Sequence, residues 1–203
     1  MRLLKYEGKT KEEAINKCLK EENKKEEDFY IKESQVEGGL FKGKKVIIEA
    51  VAKEEIIAYI KRFISDLGNL MGITINSEVR ENEGIIKVLL VTDQNAIIIG
   101  KEGRTLEAIQ LLIKQSINSK TGINVRINVD SSNYKKNKEK NFEYEIMRIA
   151  KQVEKTKIEA KLDPMNSYNR RIVHTIVSEF KNLESTSVGE SPERYVIIKY
   201  KED

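Results

Sequence analysis

A short glycine turn between two helical patterns lies in the middle of the chain and restricts the fold more than any other feature. The turn is Gly100-Lys101-Glu102-Gly103, with three isoleucines before it and an amphipathic pattern after it. Two glycines three positions apart let the backbone approach another molecule closely, because neither residue has a Cβ atom. A helix that begins at such a turn presents unpaired N–H groups and the positive end of its dipole, and both favour phosphate.

The residues around the turn predict a small α+β unit, because helical and alternating apolar spacings follow each other in a clear order. A short turn at Gly84 separates the two central strands. The predicted elements are a helix over 56–67, strands over 73–79 and 85–91, a short helix capped by Asp93 that ends at Ile99, a helix over 106–117 and a strand over 123–129.

Two further segments flank this unit. Residues 1–52 predict a β-α-β-β order, with a strand over 3–6, a helix whose capping box is formed by Thr10 and Glu13, and strands over 29–37 and 46–52 around Gly38-Gly39. Residues 133–203 open with a basic stretch. They then predict a helix over 142–153, a strand over 157–162, a helix over 166–180 and a hairpin of strands 183–188 and 194–200.

The predicted fold class is therefore α+β, with three small domains in tandem at 1–52, 53–132 and 133–203. The first of these is near the lower size limit for independent stability. We expect it to pack on a neighbouring domain or to dimerise.

Charge is distributed unevenly along the chain, although the net charge is only +4. Residues 1–100 carry 17 basic and 18 acidic side chains, whereas residues 101–203 carry 20 basic and 15 acidic ones. Residues 134–161 alone hold nine basic and five acidic side chains. This bias favours a polyanionic partner, and a solvated lysine-rich surface is the simpler alternative.

Composition argues against several other classes of protein. Cys18 is the only cysteine and His174 the only histidine, so neither a disulfide within the chain nor a zinc site is expected. We expect no membrane insertion and a cytoplasmic location, because no apolar stretch approaches about 20 residues and the start of the chain lacks a signal-peptide pattern. Asn95 occupies the first glycine position of a Walker loop, which excludes that motif at Gly100-Lys101. We expect no enzyme, cofactor or metal.

The Gly-x-x-Gly turn and the order of elements around it resemble a type II KH domain (αββααβ). The resemblance implies that Gly100, Lys101, Glu102 and Gly103 clamp the backbone of unpaired nucleotides. It places Ile97, Ile98 and Ile99 near the groove for the bases and Arg104 beside the clamp. Glu102 departs from the basic or neutral residue that is usual there, and its charge opposes a phosphate.

A second resemblance begins at Arg170 and His174, which lie one helical turn apart on the same face. With the hairpin that follows, they resemble the R-three-H domain, named for Arg-x-x-x-His, in which helices pack on a three-stranded sheet. The resemblance implies that Arg170, Arg171 and His174 contact single-stranded nucleic acid. The alternative is that His174 only holds its helix to the sheet.

The N-terminal run Tyr6-Glu7-Gly8-Lys9-Thr10 resembles the first domain of the bacterial Jag family, also called SpoIIIJ-associated protein, KhpB or EloR. Lys135 and Lys136, which we expect to attract RNA through their charge, follow Tyr134 where the family usually has arginines, so they lose the bidentate geometry. The resemblance covers nearly the whole chain. It implies a non-enzymatic RNA-binding protein that engages single-stranded RNA and is linked to cell elongation and division. A small KH-only protein is the implied partner, and a homodimer is also considered.

Two other functions remain open at this point. The first is a protein-interaction adaptor whose nucleic-acid surfaces are vestigial, which the nearly neutral first half of the chain and Glu102 would suit. The second is single-stranded DNA binding, since the sequence carries no signal for recognition of the ribose 2′-OH.

Overall fold

Apolar residues gather into three hydrophobic cores, each of which is covered by one three-stranded sheet in the part of the chain that the structure describes. The computed structural model describes residues 1–36 and 45–201. The predicted turn at Gly38-Gly39 and the predicted strand end at Glu37 lie outside these residues. The chain divides into two compact units, residues 1–134 and 135–203. The tandem α+β fold class predicted from the sequence is confirmed.

The first sheet has the predicted β-α-β-β order, with β1 at Leu4–Gly8, α1 at Lys11–Glu22, β2 at Phe29–Val36 and β3 at Lys45–Ala52. The strand order is β1-β3-β2 and both pairings are antiparallel. Thr10 caps α1 as predicted, because its hydroxyl accepts the Glu13 N–H at 3.2 Å. Ala14, Ile15 and Cys18 form the buried face of α1 against the sheet.

The first sheet continues into the second without a linker. Strand β3 ends at Ala52 and α2 begins at Lys53. Tyr30 of β2 packs against the hydrophobic core of the second sheet, and the Lys53 ammonium lies 5.5 Å from the centroid of the Tyr30 ring. Residues 1–52 therefore pack on the rest of the 1–134 unit.

The second sheet has the predicted αββααβ order. Its elements are α2 at Lys53–Met71, β4 at Asn76–Asn82, β5 at Ile85–Val91, α3 at Asn95–Ile99, α4 at Arg104–Thr121 and β6 at Arg126–Ser131. Strand β5 lies in the centre, antiparallel to β4 and parallel to β6. A parallel pair requires a crossover connection. Helices α3 and α4 provide it, and the glycine turn lies between them.

The apolar periodicity of the sequence agrees with the face of each element that is buried in the structure. Ile86, Val88 and Leu90 of β5 point into the core, whereas Lys87 and Leu89 between them are exposed. Helices α2 and α4 each contribute a row of buried isoleucines to the same core. The opposite face of the sheet therefore carries the exposed, mainly polar positions.

Three sequence predictions in this unit are corrected by the structure. Ile73 and Ile123 are buried, but each lies in a connection before its strand, because pairing begins only at Asn76 and Arg126. Asp93 does not cap α3. The N-cap is Gln94, whose N–H donates to the Thr92 hydroxyl at 3.2 Å.

The third sheet belongs to the 135–203 unit. The chain enters it through α5 at Tyr134–Thr156, followed by β7 at Ala160–Lys161, α6 at Ser167–Ser178, β8 at Leu183–Val188 and β9 at Tyr195–Tyr200. The order is β7-β9-β8, and both pairings are antiparallel. The basic stretch that opens this segment is helical, and the predicted strand over 157–162 shortens to two residues. Val173, Val177, Val196 and Ile198 form the centre of its core.

Gly68 offers a direct test of how tightly α2 packs where the chain turns toward β4. Alanine in place of glycine inside a helix usually stabilises a protein by about 0.5–1 kcal/mol. Here a Cβ at position 68 would lie 2.9 Å from the Ile73 carbonyl oxygen. We predict that Gly68→Ala instead destabilises the protein by about 1–2 kcal/mol, measured as a lower melting temperature.

The matched control is Asn69→Ala, because Asn69 is exposed on the same helical turn. It should leave the melting temperature unchanged or raise it slightly. A rise in melting temperature with Gly68→Ala would contradict the close packing.

Candidate nucleic-acid interface

The glycine turn has a left-handed backbone at three of its four positions. The φ angles are 69° at Gly100, 56° at Glu102 and 85° at Gly103. The N–H of Gly103 donates to the Gly100 carbonyl oxygen at 3.3 Å, which closes the turn. Helix α4 begins at the next residue, Arg104. The predicted turn between two helices is therefore present.

Neighbouring side chains leave no space for a Cβ at either glycine. At position 100 a Cβ would lie 2.1 Å from the Thr105 hydroxyl oxygen. At position 103 it would lie 2.6 Å from the Cε1 atom of Tyr134, at the start of α5. Both positions thus require glycine, because of the backbone angle and because of the packing. Thr105 and Tyr134 of the same unit pack against the turn.

Charged side chains project from the outer surface of the clamp. Lys101, Glu102 and Arg104 are all exposed. The Arg104 Nη2 atom lies 3.5 Å from a Glu102 carboxylate oxygen. An exposed pair of this kind contributes little to stability, but it offsets the negative charge of Glu102. The turn and the first residue of α4 together keep one net positive charge.

The three isoleucines before the clamp lie in different environments. Ile98 is fully buried in the core, so its side chain presents no surface to a base. That it lies near the groove floor stays a prediction. A five-residue helix can point only part of its surface outward; α3 exposes Ala96 and Ile97, and Ile97 is 47% exposed. Ile99 is partly buried. Ile98 fixes α3 to the core, and Ile97 presents apolar surface beside the clamp.

A buried hydroxyl that sequence reasoning missed fixes the start of α3. Ser131, at the end of β6, is fully buried. Its Oγ lies 2.8 Å from Asn95 Oδ1 and 3.1 Å from the Leu90 carbonyl oxygen. Ser131 therefore joins the ends of β5 and β6 to the first residue of α3. A single serine at the end of an apolar strand gave no signal for this contact.

The second predicted site lies in the 135–203 unit. Arg170 is partly buried, and its Nη1 donates to the Met165 carbonyl oxygen at 2.7 Å. This bond ties one nitrogen of the guanidinium to the backbone, and Arg170 also lines an open groove.

His174 is bonded to the sheet through both ring nitrogens. Its Nδ1 lies 2.7 Å from the Ser185 hydroxyl and its Nε2 lies 2.9 Å from the Ser187 hydroxyl, both on β8. Serine hydroxyls can donate or accept, so both ring tautomers satisfy these bonds. His174 thus holds α6 to the sheet, and its contact with nucleic acid stays a prediction. His174 still lines the groove beside Arg170.

The open groove next to His174 is strongly basic and has a volume of about 490 Å³. Three arginines line it: Arg170 and Arg171 from α6, and Arg194 from the residue before β9. Every other described residue that lines it is uncharged or is His174 itself. Below we call it the arginine groove. In the sequence Arg194 is only the first residue of the predicted strand 194–200, and the fold of the hairpin brings it to this groove.

Lys135 and Lys136 are exposed on the first turn of α5. They are not among the residues that line the arginine groove. The predicted site residues therefore form a clamp in the 1–134 unit, an arginine groove in the 135–203 unit and a separate pair of lysines.

In the described ranges, 1–36 and 45–201, we find no cluster of three or more side chains suited to hold a metal ion. Within the same ranges, each helix is too short or too polar to cross a lipid bilayer.

Comparison with known proteins connects these two sites to one family. A model described as the KH domain of KhpA/KhpB matches residues 57–129, and a model of the R-three-H domain matches residues 146–200. The RNA-binding protein KhpB of Clostridium symbiosum is 33% identical over 201 residues, which cover 97% of this chain and 90% of that relative. The chain belongs to the KhpB family. The resemblance to the Jag family is confirmed.

Two other members of the KhpB family are more distant. KhpB of Bacillus subtilis (strain 168) is 28% identical over 165 residues, or 80% of this chain and 79% of that protein. KhpB of Streptococcus pneumoniae serotype 2 (strain D39) is 27% identical over 151 residues, and the match spans only 44% of that longer protein. All three relatives are named as RNA-binding proteins rather than as enzymes.

A double-mutant cycle tests how the clamp is held. We predict that Gly103→Ala destabilises the protein by about 2 kcal/mol, because alanine is strained at this φ and meets the Tyr134 ring. In a Tyr134→Ala background the cost should fall by about 1 kcal/mol or more, since the ring is gone. Urea unfolding measures all four proteins of the cycle.

Gly84→Ala is the matched control. Gly84 also has a positive φ, of 76°, but nothing lies within 4 Å of a Cβ placed there. Its cost should be the same in both backgrounds. An equal cost of Gly103→Ala in both backgrounds would show that Tyr134 does not hold the clamp.

Proposed function

We propose that this chain is a non-enzymatic RNA-binding protein that engages single-stranded RNA through the clamp and the arginine groove. The arginine groove carries the proposal. Three guanidinium groups and uncharged polar side chains line it, and guanidinium forks suit phosphate oxygens. The relatives that bear the name RNA-binding protein, and the match to KH and R-three-H models, support the same function.

The clamp would contact the RNA backbone. Lys101 and Glu102 in the middle of the turn are exposed, and α4 begins at Arg104, where its first unpaired N–H groups and the positive end of its dipole favour phosphate. Lys101 and Arg104 add positive charge at the point of contact. Exposed Ile97 provides an apolar surface on which a base can lie. Such contacts recognise a single strand with little sequence selectivity.

The arginine groove would bind phosphates through Arg171 and Arg194, with Arg170 oriented by its bond to Met165. His174 positions α6 against β8 and borders the groove. In this proposal His174 acts chiefly through the arginines that it positions.

Several finer aspects of the function follow from family resemblance and are proposals here. They are a cytoplasmic location, a link to cell elongation and division, and association with a small KH-only protein or with a second copy of the chain. Leu111 and Leu112 of α4 are about half exposed, which offers apolar surface on the KH domain for such an association.

The first test uses fluorescence anisotropy of a labelled single-stranded 20-mer RNA with the full chain over a salt series. We predict that the double substitution Lys101→Asp, Glu102→Asp weakens binding by roughly tenfold or more, because an acidic clamp repels phosphate. Lys114→Asp is the control, since it makes the same change in net charge at an exposed site ten residues into α4, about 15 Å along the helix. Equal losses in both variants would contradict a specific clamp.

The same assay separates the arginines from His174. Arg171→Ala and Arg194→Ala should each weaken RNA binding several-fold and reduce the salt slope by about 0.7. Because both side chains are exposed, the melting temperature should not change. His174→Ala should lower the melting temperature, because it removes the partners of Ser185 and Ser187. Arginine variants that bind RNA as the wild type does would contradict the proposal.

Matched RNA and DNA 20-mers address the single-stranded DNA alternative. Tighter binding to RNA than to DNA supports the proposal, and tighter binding to DNA contradicts it. The adaptor alternative is favoured if the wild-type chain binds neither strand at low salt.

A further inference from the structure

A second groove of the 135–203 unit lies between α5 and α6, and its surface is mainly apolar. Tyr144 and Met147 line it from α5, and Tyr168 and Ile172 line it from α6. Its volume is about 640 Å³. Below we call it the tyrosine groove.

The two tyrosines are unusual among the aromatic residues of this protein. Tyr144 is 75% exposed and Tyr168 is 59% exposed. In the described part of the chain, no other aromatic side chain is exposed to this degree. Aromatic rings are large apolar surfaces that folding normally buries. The two rings that remain exposed line the same groove.

We propose that the tyrosine groove binds unpaired nucleobases by stacking on Tyr144 and Tyr168, and that it extends the arginine groove along the same RNA strand. The proposal rests on the RNA-binding function proposed above and assigns a base-binding site to it. Proteins that bind single strands combine a basic surface for the phosphates with aromatic side chains on which successive bases stack.

The two grooves adjoin each other on α6. Arg171 and Thr175 line both of them. A phosphate held by the Arg171 guanidinium therefore lies at the border between the two grooves. The base attached to that phosphate, or its neighbour, can then reach the tyrosine groove without leaving the protein surface.

One of the two rings is held in place before a ligand arrives. The Tyr168 hydroxyl on α6 donates a hydrogen bond to the Glu139 carboxylate on α5. The same bond raises the pKa of Tyr168, so the phenol stays protonated and uncharged at neutral pH. A ring with fixed orientation loses less conformational entropy when a base stacks on it.

Charge does not select the ligand of this groove. Lys140 and Arg171 on its border are balanced by Glu143 and Glu179. Binding there must come from stacking and apolar contact, in contrast to the arginine groove. The two grooves should therefore differ in their salt dependence, because only neutralised phosphates release counterions.

The matched R-three-H model begins at Ile146. Tyr144, Lys140 and Glu143 precede that residue on the same helix, so part of the tyrosine groove is formed by a stretch of α5 outside the matched domain. The tyrosine groove thus extends beyond the matched R-three-H domain.

The test uses the full chain, a labelled single-stranded 20-mer RNA and a salt series. Tyr144→Leu with Tyr168→Leu keeps apolar volume and removes stacking. Loss of one stacked base lowers affinity about 5- to 150-fold, so we expect at least a tenfold loss with an unchanged salt slope. The control Ile158→Ala removes an exposed apolar side chain of the same unit that does not line the groove. It should bind RNA as the wild type does.

A second measurement reports stacking directly. The chain contains no tryptophan, so Tyr144→Trp introduces a single indole into the groove. We expect a single-stranded RNA to quench its fluorescence, and an abasic 20-mer of the same length to bind more weakly without quenching.

The possible failures can be told apart. If the wild type binds RNA but the double leucine variant binds equally well and the tryptophan is not quenched, the groove does not hold bases. A protein partner then becomes its expected occupant. If the wild type binds no single strand at low salt, the proposed RNA-binding function fails, and this inference fails with it.

Discussion

The left-handed backbone of the glycine turn is the constraint on which the 1–134 unit depends. The parallel pairing of β5 with β6 requires a helical crossover, and the chain must reverse within it between α3 and α4. Gly100 and Gly103 make that reversal possible, while Thr105 and Tyr134 fill the space next to them. Lys101 and Glu102, between the two glycines, remain exposed at the surface. Structural need and the proposed clamp therefore rest on the same two glycines.

The proposed RNA surface uses a different physical contribution at each site. The clamp would contact phosphate through the N–H groups at the start of α4 and through a small net positive charge. The arginine groove offers three guanidinium groups, and His174 holds the helix that carries two of them. The tyrosine groove offers two exposed rings with balanced charge around them. Affinity that depends on phosphate and affinity that depends on bases are thus located on separate side chains, and can be changed independently.

The sequence predicted most of the fold because its apolar periodicity is strong, but several boundaries and site residues could not be read from it. Ile73 and Ile123 alternate as a strand does, and burial alone does not reveal where pairing begins. Ile97 and Ile98 are chemically the same, and only packing decides which one is exposed. Arg194 and Tyr144 reach their grooves through contacts between distant elements. The turn at Gly-x-x-Gly and the shared helical face of Arg-x-x-x-His were predictable, because each depends only on residues that are close in sequence.

Photo-crosslinking tests the central claim most directly. The full chain is bound to a single-stranded RNA that contains 4-thiouridine, irradiated and digested, and the crosslinked peptides are identified by mass spectrometry. The account predicts crosslinks in two regions, at the clamp around Ile97–Arg104 and on the arginine and tyrosine grooves of the 135–203 unit. Crosslinks confined to residues 1–52, or to the open face of the second sheet around Lys87 and Leu89, would contradict it.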